Sequence, residues 1–388
     1  MAPAFAAFPE SEHRDRLARA RKALKAAGFD FCISVAPEHL FYFGGYECWV
    51  SVNAPQALLF SVDEGEPAIV LRDVDLSIAR ESSWIKNLNT YRLILEDPAA
   101  LIAKLAKQMG LKTGGRIAVE TQSYAITHAF GKSLEQALAP AKIEDATFLL
   151  GDLRVVKSPR EMVYLREAAR FANAGLAAAR GAMKKGVTEI GVASALETAM
   201  REAGSDYWSI PTELSAGPRS AGGHATPRNR VVEPGELIHA EFSGVSSRYH
   251  SACLHTMSMG EPGKRARDIY RLGIESLQAG IAAIRVGVPV ADVEEASLVP
   301  LRREGLEHTA MMRFGYGIGI AYPPIWLETL QIARGIDRRL EPDMVFVLHS
   351  CLELVDEKLG VIQGGTWALT GNGLEMLSGS GAIDLEVY

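Results

Sequence analysis

The sequence predicts two domains. Residues 1–152 read as an α/β domain, and residues 153–388 as an α+β domain whose sheet is made mostly of hairpins with helices on one face. Three observations lead there. At 388 residues the chain exceeds what one ordinary core accommodates. Its first part alternates strand-like and helix-like segments. Beyond residue 205 the texture changes: Gly, Pro and Ser become dense, strands shorten, and His, Glu and Tyr accumulate.

The elements follow in order. Residues 11–28 place Leu17, Ala20, Leu24 and Ala27 on one face and Arg and Lys on the other, a helix that Gly28 ends. FDFCISV (29–35), ALLFSV (57–62), PAIVLR (67–72) and RIAVE (116–120) read as strands, and residues 94–110 as a helix ended by Gly110. Ser158-Pro159 with Glu161 close behind is a helix start, with proline in the first turn. That helix is expected to run to Gly186, and a second follows at 188–204 with Thr188 as N-cap. HAEFSGVSSRYHSACLHT (239–256) reads as strand, turn and strand. A helical pair returns at 264–305, and 310–370 is rich in strands.

Composition narrows the function classes. Apolar residues make up 48% and charged residues 23%, a soluble globular mixture. The net charge of −6 and the absence of Lys/Arg runs argue against nucleic-acid or anionic-membrane partners. Cys32, Cys48, Cys253 and Cys351 lie far apart with no CxxC pair, which suits a reducing compartment; a cytoplasmic location is expected. The start lacks a basic n-region and is not read as a signal peptide, and no run of 18 apolar residues spans a membrane.

The chemistry-bearing residues gather in the second half. His224 lies in a Gly-rich loop, where it is either a proton carrier or a turn residue. Glu241 follows LIHA on a strand; a buried acid there needs a partner, and Arg248 or Arg313 is the candidate for a salt bridge. His349 sits among apolar neighbours, as a core residue or a cavity residue. Glu213 is either a second acid or a turn residue. Tyr249 and Tyr316 are candidate wall residues able to hydrogen-bond a substrate. Trp208 and Trp326 either pack or close over a small cyclic or cationic ligand. Of His250 and His255, one is expected to face solvent.

The order of VVKSPREMVYLREAARFAN, EPGELIHAEFSG and EPDMVFVL resembles the pita-bread family of methionine aminopeptidase, prolidase, aminopeptidase P, creatinase and ectoine hydrolase. The resemblance implies a curved, mostly antiparallel sheet with helices on one face. In the family's peptidases, five side chains (Asp, Asp, His, Glu, Glu) hold two metal ions. Carried over, these positions fall at Glu241, at Ala252, at Tyr316 or Ile318, at His349, and at Gln363 or Gly364. At most Glu241 and His349 remain able to ligate. A two-ion centre is not expected, and a single loosely held ion is the remaining alternative.

The losses point to the family's metal-free branch. GGHATPRNRVVEPGE resembles the creatinase stretch whose His shuttles protons, here His224, and GYGIGIAYPPIW resembles an ectoine-hydrolase loop. Creatinase itself departs: it has Glu where this chain has Leu254 and His349, and Arg where this chain has Asn53. The implied function is metal-independent hydrolysis of a non-peptide C–N bond in a small nitrogen-rich molecule. His224 would be the proton shuttle, Glu241 the substrate or proton partner, and His349 a third catalytic group; no cofactor is implied. A lyase, cyclase or isomerase on the same fold, and an inactive binding paralogue, stay open. The resemblance also implies a homodimer whose N-terminal domain covers the partner's site through Tyr46, Trp49 and Asn53.

Overall fold

The computed structural model describes residues 3–388. Two compact units result, one ending at Arg154 and one spanning Val155–Tyr388.

The first unit contains α1 (Glu10–Ala26), β1 (Phe31–Ser34), α2 (Pro37–Gly44), β2 (Ala57–Ser61), β3 (Ala68–Arg72), α3 (Leu76–Ser82), β4 (Asn87–Tyr91), α4 (Pro98–Gln108), β5 (Arg116–Val119), α5 (His128–Leu138), β6 (Lys142–Asp145) and α6 (Thr147–Gly151). Its six strands run in the order β4-β3-β2-β1-β5-β6. The β1–β5, β3–β4 and β5–β6 pairs are parallel, as crossover helices require. Phe31, Ile33, Leu59, Val70, Ile117 and Val119 from the sheet pack with Ile102 and Leu134 from α4 and α5 in one core.

The second unit continues with α7 (Pro159–Ala182), α8 (Glu189–Glu202), β7 (Glu213–Ala216), β8 (Glu236–Ser246), β9 (Tyr249–Met259), α9 (Lys264–Ala283), α10 (Val290–Arg303), β10 (Gly315–Tyr322), β11 (Ile325–Ile332), β12 (Met344–Leu354), β13 (Leu359–Thr370), β14 (Gly373–Gly379) and β15 (Glu386–Val387). The nine strands form one sheet in the order β11-β10-β12-β13-β9-β8-β7, with β14 on β13 and β15 on β9. Helix α7 begins where the sequence places it. Ser158 caps it, Pro159 opens it, and Glu161 closes a capping box. It ends at Ala182, short of Gly186, and Thr188 caps α8.

The side-chain period of two sorts this sheet into two faces. Leu214, Ala240, Phe242 and Cys253 pack with α7 and α8. Met344, Phe346 and Leu348 pack with α9 and α10. The opposite face carries Glu213, Glu241 and His349. Contact between α7 and β8 is close enough that a Cβ on Gly244 would lie 2.1 Å from the Ala168 carbonyl oxygen and 2.6 Å from the Ala172 nitrogen.

The β8–β9 hairpin turns at Ser247 and Arg248, both at positive φ (46° and 65°), as a two-residue type I′ connection demands. Arg248 has a side chain where glycine is usual, and that side chain is fully buried. Its guanidinium donates to the Ala321 and Tyr207 carbonyls and lies 3.8 Å from the Tyr207 ring centroid. Arg248 thus ties the hairpin to the end of β10 and to the segment before β7, and is not the partner of Glu241.

Candidate active site

A cavity of about 430 Å³ opens on the helix-free face of this sheet. Glu213, His224, Glu241, Tyr316, Trp326 and His349 line it, so the structure gathers six of the residues singled out in the sequence. Ile210, Pro211, Met311, Met312, Arg313, Pro324, Ile325, Leu327 and Cys351 complete the wall.

Glu213 and Glu241 are direct cross-strand partners in the β7–β8 ladder. Side chains so placed stand about 5 Å apart at Cβ, close enough for strong repulsion if both ionise. Burial, then the neighbouring Glu241, push the Glu213 carboxyl up to about 8. Burial pushes Glu241 up to about 7, and a hydrogen bond from Tyr316 acts in the opposite direction. Near neutral pH the pair therefore holds a proton: it offers an acid and a base on neighbouring strands.

Tyr316 donates its hydroxyl to Glu241 at 2.9 Å and accepts from the Trp326 indole N–H at 3.0 Å. Burial and the Glu241 charge hold the phenol well above its ordinary pKa, so it remains a donor. With its proton committed to Glu241, Tyr316 positions that acid and is not free to serve an oxyanion. Trp326, 1% exposed, holds Tyr316.

His349 and Cys351 alternate along β12 onto the same face. Burial, then Arg313 and His224 nearby, lower His349 to about 4, so it is neutral at working pH. The Cys351 sulfur lies 3.3 Å from Nδ1, which leaves Nε2 for the cavity. Cys351 itself is pushed well above the ordinary thiol range, by burial first and the surrounding acids next.

His224 is exposed, on a loop fixed without its imidazole. Arg219 pairs with the fully buried Glu189 and donates to the Thr226 carbonyl. The Gly223 N–H donates to Glu353 at 2.6 Å, and the Leu214 N–H to the Ala225 carbonyl at 2.8 Å.

Several expectations are corrected. Tyr249 is not a wall residue. Glu241 lies opposite Leu254, so even-numbered residues of β9 share its face and Tyr249 points to the helices. There its hydroxyl donates to Glu161 at 2.8 Å and its ring stacks on Tyr164. Trp208 packs against the α7–α8 core with the Arg201 guanidinium 4.7 Å from its ring centroid, and does not line the cavity. Neither His250 nor His255 faces solvent: both are 0% exposed, His250 accepting from the Ser209 N–H and His255 bonded to Glu386. Tyr46 is fully buried within the first unit, so its ring has no surface to present to a partner. Trp49 (56% exposed) and Asn53 are accessible on that unit.

The acid pair has a consequence for stability. A carboxyl whose pKa is raised by folding stabilises the fold fully below its unfolded value near 4.5 and loses that contribution as pH rises through about 8. Glu213→Gln, which stays neutral, is expected to gain on the order of 2 kcal/mol over the wild type between pH 5 and 9. Urea denaturation at both pH values checks this; identical pH dependence in the two proteins would rule it out.

An antiparallel sheet backed on one face by two helix pairs, preceded by an α/β unit, is the two-domain pita-bread architecture of creatinases and prolidases. Residues 163–378 match Metallopeptidase family M24 and residues 16–156 match the Creatinase/Prolidase N-terminal domain; the chain belongs to family M24. It is 28% identical to an uncharacterized hydrolase/peptidase of Sinorhizobium fredii, over 94% of this chain and 95% of that one. It is 25% identical to the ectoine hydrolase of Halomonas elongata, over 96% of each chain. An Xaa-Pro dipeptidase from Bacillus anthracis shares the fold at a TM-score of 0.85 and 21% identity, covering 97% of this chain and 100% of that one.

The family's name implies metal ions, and the donor set decides whether they fit. Ala252 offers no side-chain ligand, and its N–H and carbonyl are engaged by Thr366 and Ser378. Tyr316 spends its hydroxyl on Glu241. Gly364 has no donor, and a Cβ there would meet the Leu348 carbonyl oxygen at 2.2 Å. Gln363 pairs with Ser350 on the helix-facing side. Among the described residues no group of three or more His, Cys, Asp or Glu side chains could hold an ion. These residues do not fit a pair of bridged divalent cations. No helix among the described residues is long and apolar enough to cross a membrane.

Proposed function

We propose that the chain is a metal-independent hydrolase of a non-peptide C–N bond in a small nitrogen-rich substrate: a cyclic amidine, a ureido or guanidino compound, or a small amide. The observation that carries this reading is the Glu213–Glu241 pair, steadied by Tyr316 and Trp326, standing where the family's ligand set is broken up. One member, as carboxylate, holds the cationic C–N group or draws a proton from water. The other, as acid, supplies a hydrogen bond without adding charge. His224 takes a proton from the attacking water and returns it to the departing nitrogen, so that water's oxygen ends on carbon and its hydrogens on nitrogen and oxygen. Neutral His349 offers Nε2 to the charge that develops on the oxygen or nitrogen bonded to the attacked carbon. The relationship to an ectoine hydrolase supports the substrate class. A homodimer in which the first unit covers a neighbouring chain's cavity belongs to the same proposal, with Trp49 and Asn53 as its accessible contributors.

The test pairs a thermal-shift screen of such compounds with turnover measured before and after chelation. A true ligand at a hundred times its Kd adds about 2.7 kcal/mol to stability, readily seen as a shift in Tm. Turnover of the selected compound is expected to survive chelation unchanged, with metal well below one ion per chain. Two stoichiometric ions whose removal abolishes turnover would overturn the proposal.

A further inference from the structure

We infer that the first unit carries a small-molecule site of its own, in a cavity lined by His13, for a flat apolar ring bearing one N–H or O–H donor, such as a phenol or an indole. All its residues belong to that unit, and the site is independent of the reaction proposed above.

This cavity, of about 220 Å³, is lined by two segments of chain and by the first turn of α1. Pro3, Ala6 and Phe8 come from the stretch before α1. Ser82, Trp84 and Lys86 come from the end of α3 and the stretch that leads to β4. An apolar cavity of roughly 150 Å³ stays dry and takes up benzene. The present one is larger, and two aromatic side chains line it, Phe8 at 3% and Trp84 at 4% exposed. Its volume suits one ring or two fused rings.

The polar groups of the lining decide what that ring carries. Glu10 and Lys86 are exposed and mark the rim, and Glu10 is paired with Arg14. The Ser82 hydroxyl donates to the Ile78 carbonyl at 2.8 Å and accepts the Glu47 N–H. The Trp84 indole N–H donates to the Phe43 carbonyl at 2.8 Å. His13 remains, and it is 1% exposed. Its Nδ1 lies 3.0 Å from the Tyr42 carbonyl oxygen, which only accepts, so Nδ1 carries the ring hydrogen. Burial above all holds the imidazole down to about 4, so the ring is neutral and Nε2 is an acceptor. Among the described residues no donor meets Nε2. A buried acceptor without a donor is costly, and a ligand's N–H or O–H removes that cost. The buried part of the lining holds no charge to pair with an ionic ligand.

Titration of the full chain with phenol and toluene, followed by NMR, provides the test. The two probes have nearly the same shape, and only phenol has a donor. Both are expected to bind the wild type. The unprotonated nitrogen of His13 should shift its nitrogen-15 resonance with phenol and hold it with toluene, a reading that needs no variant. His13→Leu should keep toluene binding and lower the ratio of phenol to toluene affinity roughly tenfold, the worth of one hydrogen bond to a buried acceptor. The Tyr42 carbonyl still has the Arg16 guanidinium as a donor in that variant, and retained toluene binding shows that the cavity is intact. Ala6→Trp, which fills the cavity from a half-buried position, should abolish binding of both probes. The inference fails if neither probe binds the wild type, or if phenol leaves the His13 resonance in place. It fails equally if the affinity ratio is unchanged in His13→Leu, or if Ala6→Trp still binds either probe, which would place the probes in another cavity.

Discussion

Replacing His224 with alanine is expected to lower kcat for a hydrolysed substrate by about two to four orders of magnitude, the usual worth of a positioned proton carrier. The fold should be intact. The loop around His224 is secured by Arg219 on Glu189, by Gly223 on Glu353 and by the Leu214–Ala225 backbone bond, none of which uses the imidazole. Loss of activity would therefore report chemistry and not unfolding. The comparison with His349→Ala is informative. His349 is buried and already neutral, so its removal should depress kcat without shifting the pH at which activity rises. Steady-state kinetics across pH 5–9, with circular dichroism as a control, decide the matter. Unchanged turnover in His224→Ala would refute the assigned proton path.

Gly244→Ala is expected to destabilise the second unit by about 3 kcal/mol or more, the scale of a clash that a packed core cannot absorb. The added methyl would sit 2.1 Å from the Ala168 carbonyl oxygen, 2.6 Å from the Ala172 nitrogen and 2.8 Å from the Phe171 Cβ. The first two are backbone of α7, so no rotamer change relieves them. Relief requires α7 to move off β8, and with it the core of Ala172, Leu176, Phe242 and Cys253. Gly371→Ala is the control: open space surrounds that position, and a change within about 0.5 kcal/mol is expected. Denaturant midpoints followed by tryptophan fluorescence compare the two. Equal midpoints would mean that α7 and β8 are not held as closely as described.

Local signals in the sequence are what carried through to structure. Ser158, Pro159 and Glu161 announce the start of α7 because cap chemistry involves only neighbouring residues. Thr188 does the same for α8. Helix α2, PEHLFYFG, was not legible: it is buried nearly all round, so no polar face marks a helical period. Glu241, His349 and His224 could be named because a family resemblance places them. The pairing of Glu241 with Glu213 could not, since register between β7 and β8 is decided by packing of the whole sheet. The misplacement of Tyr249 has the same origin: one step in parity moves a side chain from the cavity to the helices. Arg313 and Cys351 were missed as wall residues, although Cys351, two positions after His349 on a strand, had to share its face.

One carboxyl joins two parts of the second unit. One oxygen of Glu161 accepts the Ser158 N–H and closes the cap of α7, while the other accepts the Tyr249 hydroxyl just past the turn of the β8–β9 hairpin. Fraying of the first helical turn therefore takes the Glu161 acceptor from a buried phenol, and opening of the hairpin at its turn takes a donor from the capping carboxylate. Neither event is local. The amides of Glu161 and Met162 and those flanking Tyr249 should exchange with solvent deuterium at one common free energy, as a single cooperative unit. Distinct protection for the two groups in native-state exchange would show that they open separately. If they move together, the wall that carries Glu241 is only as durable as the first turn of the helix behind it.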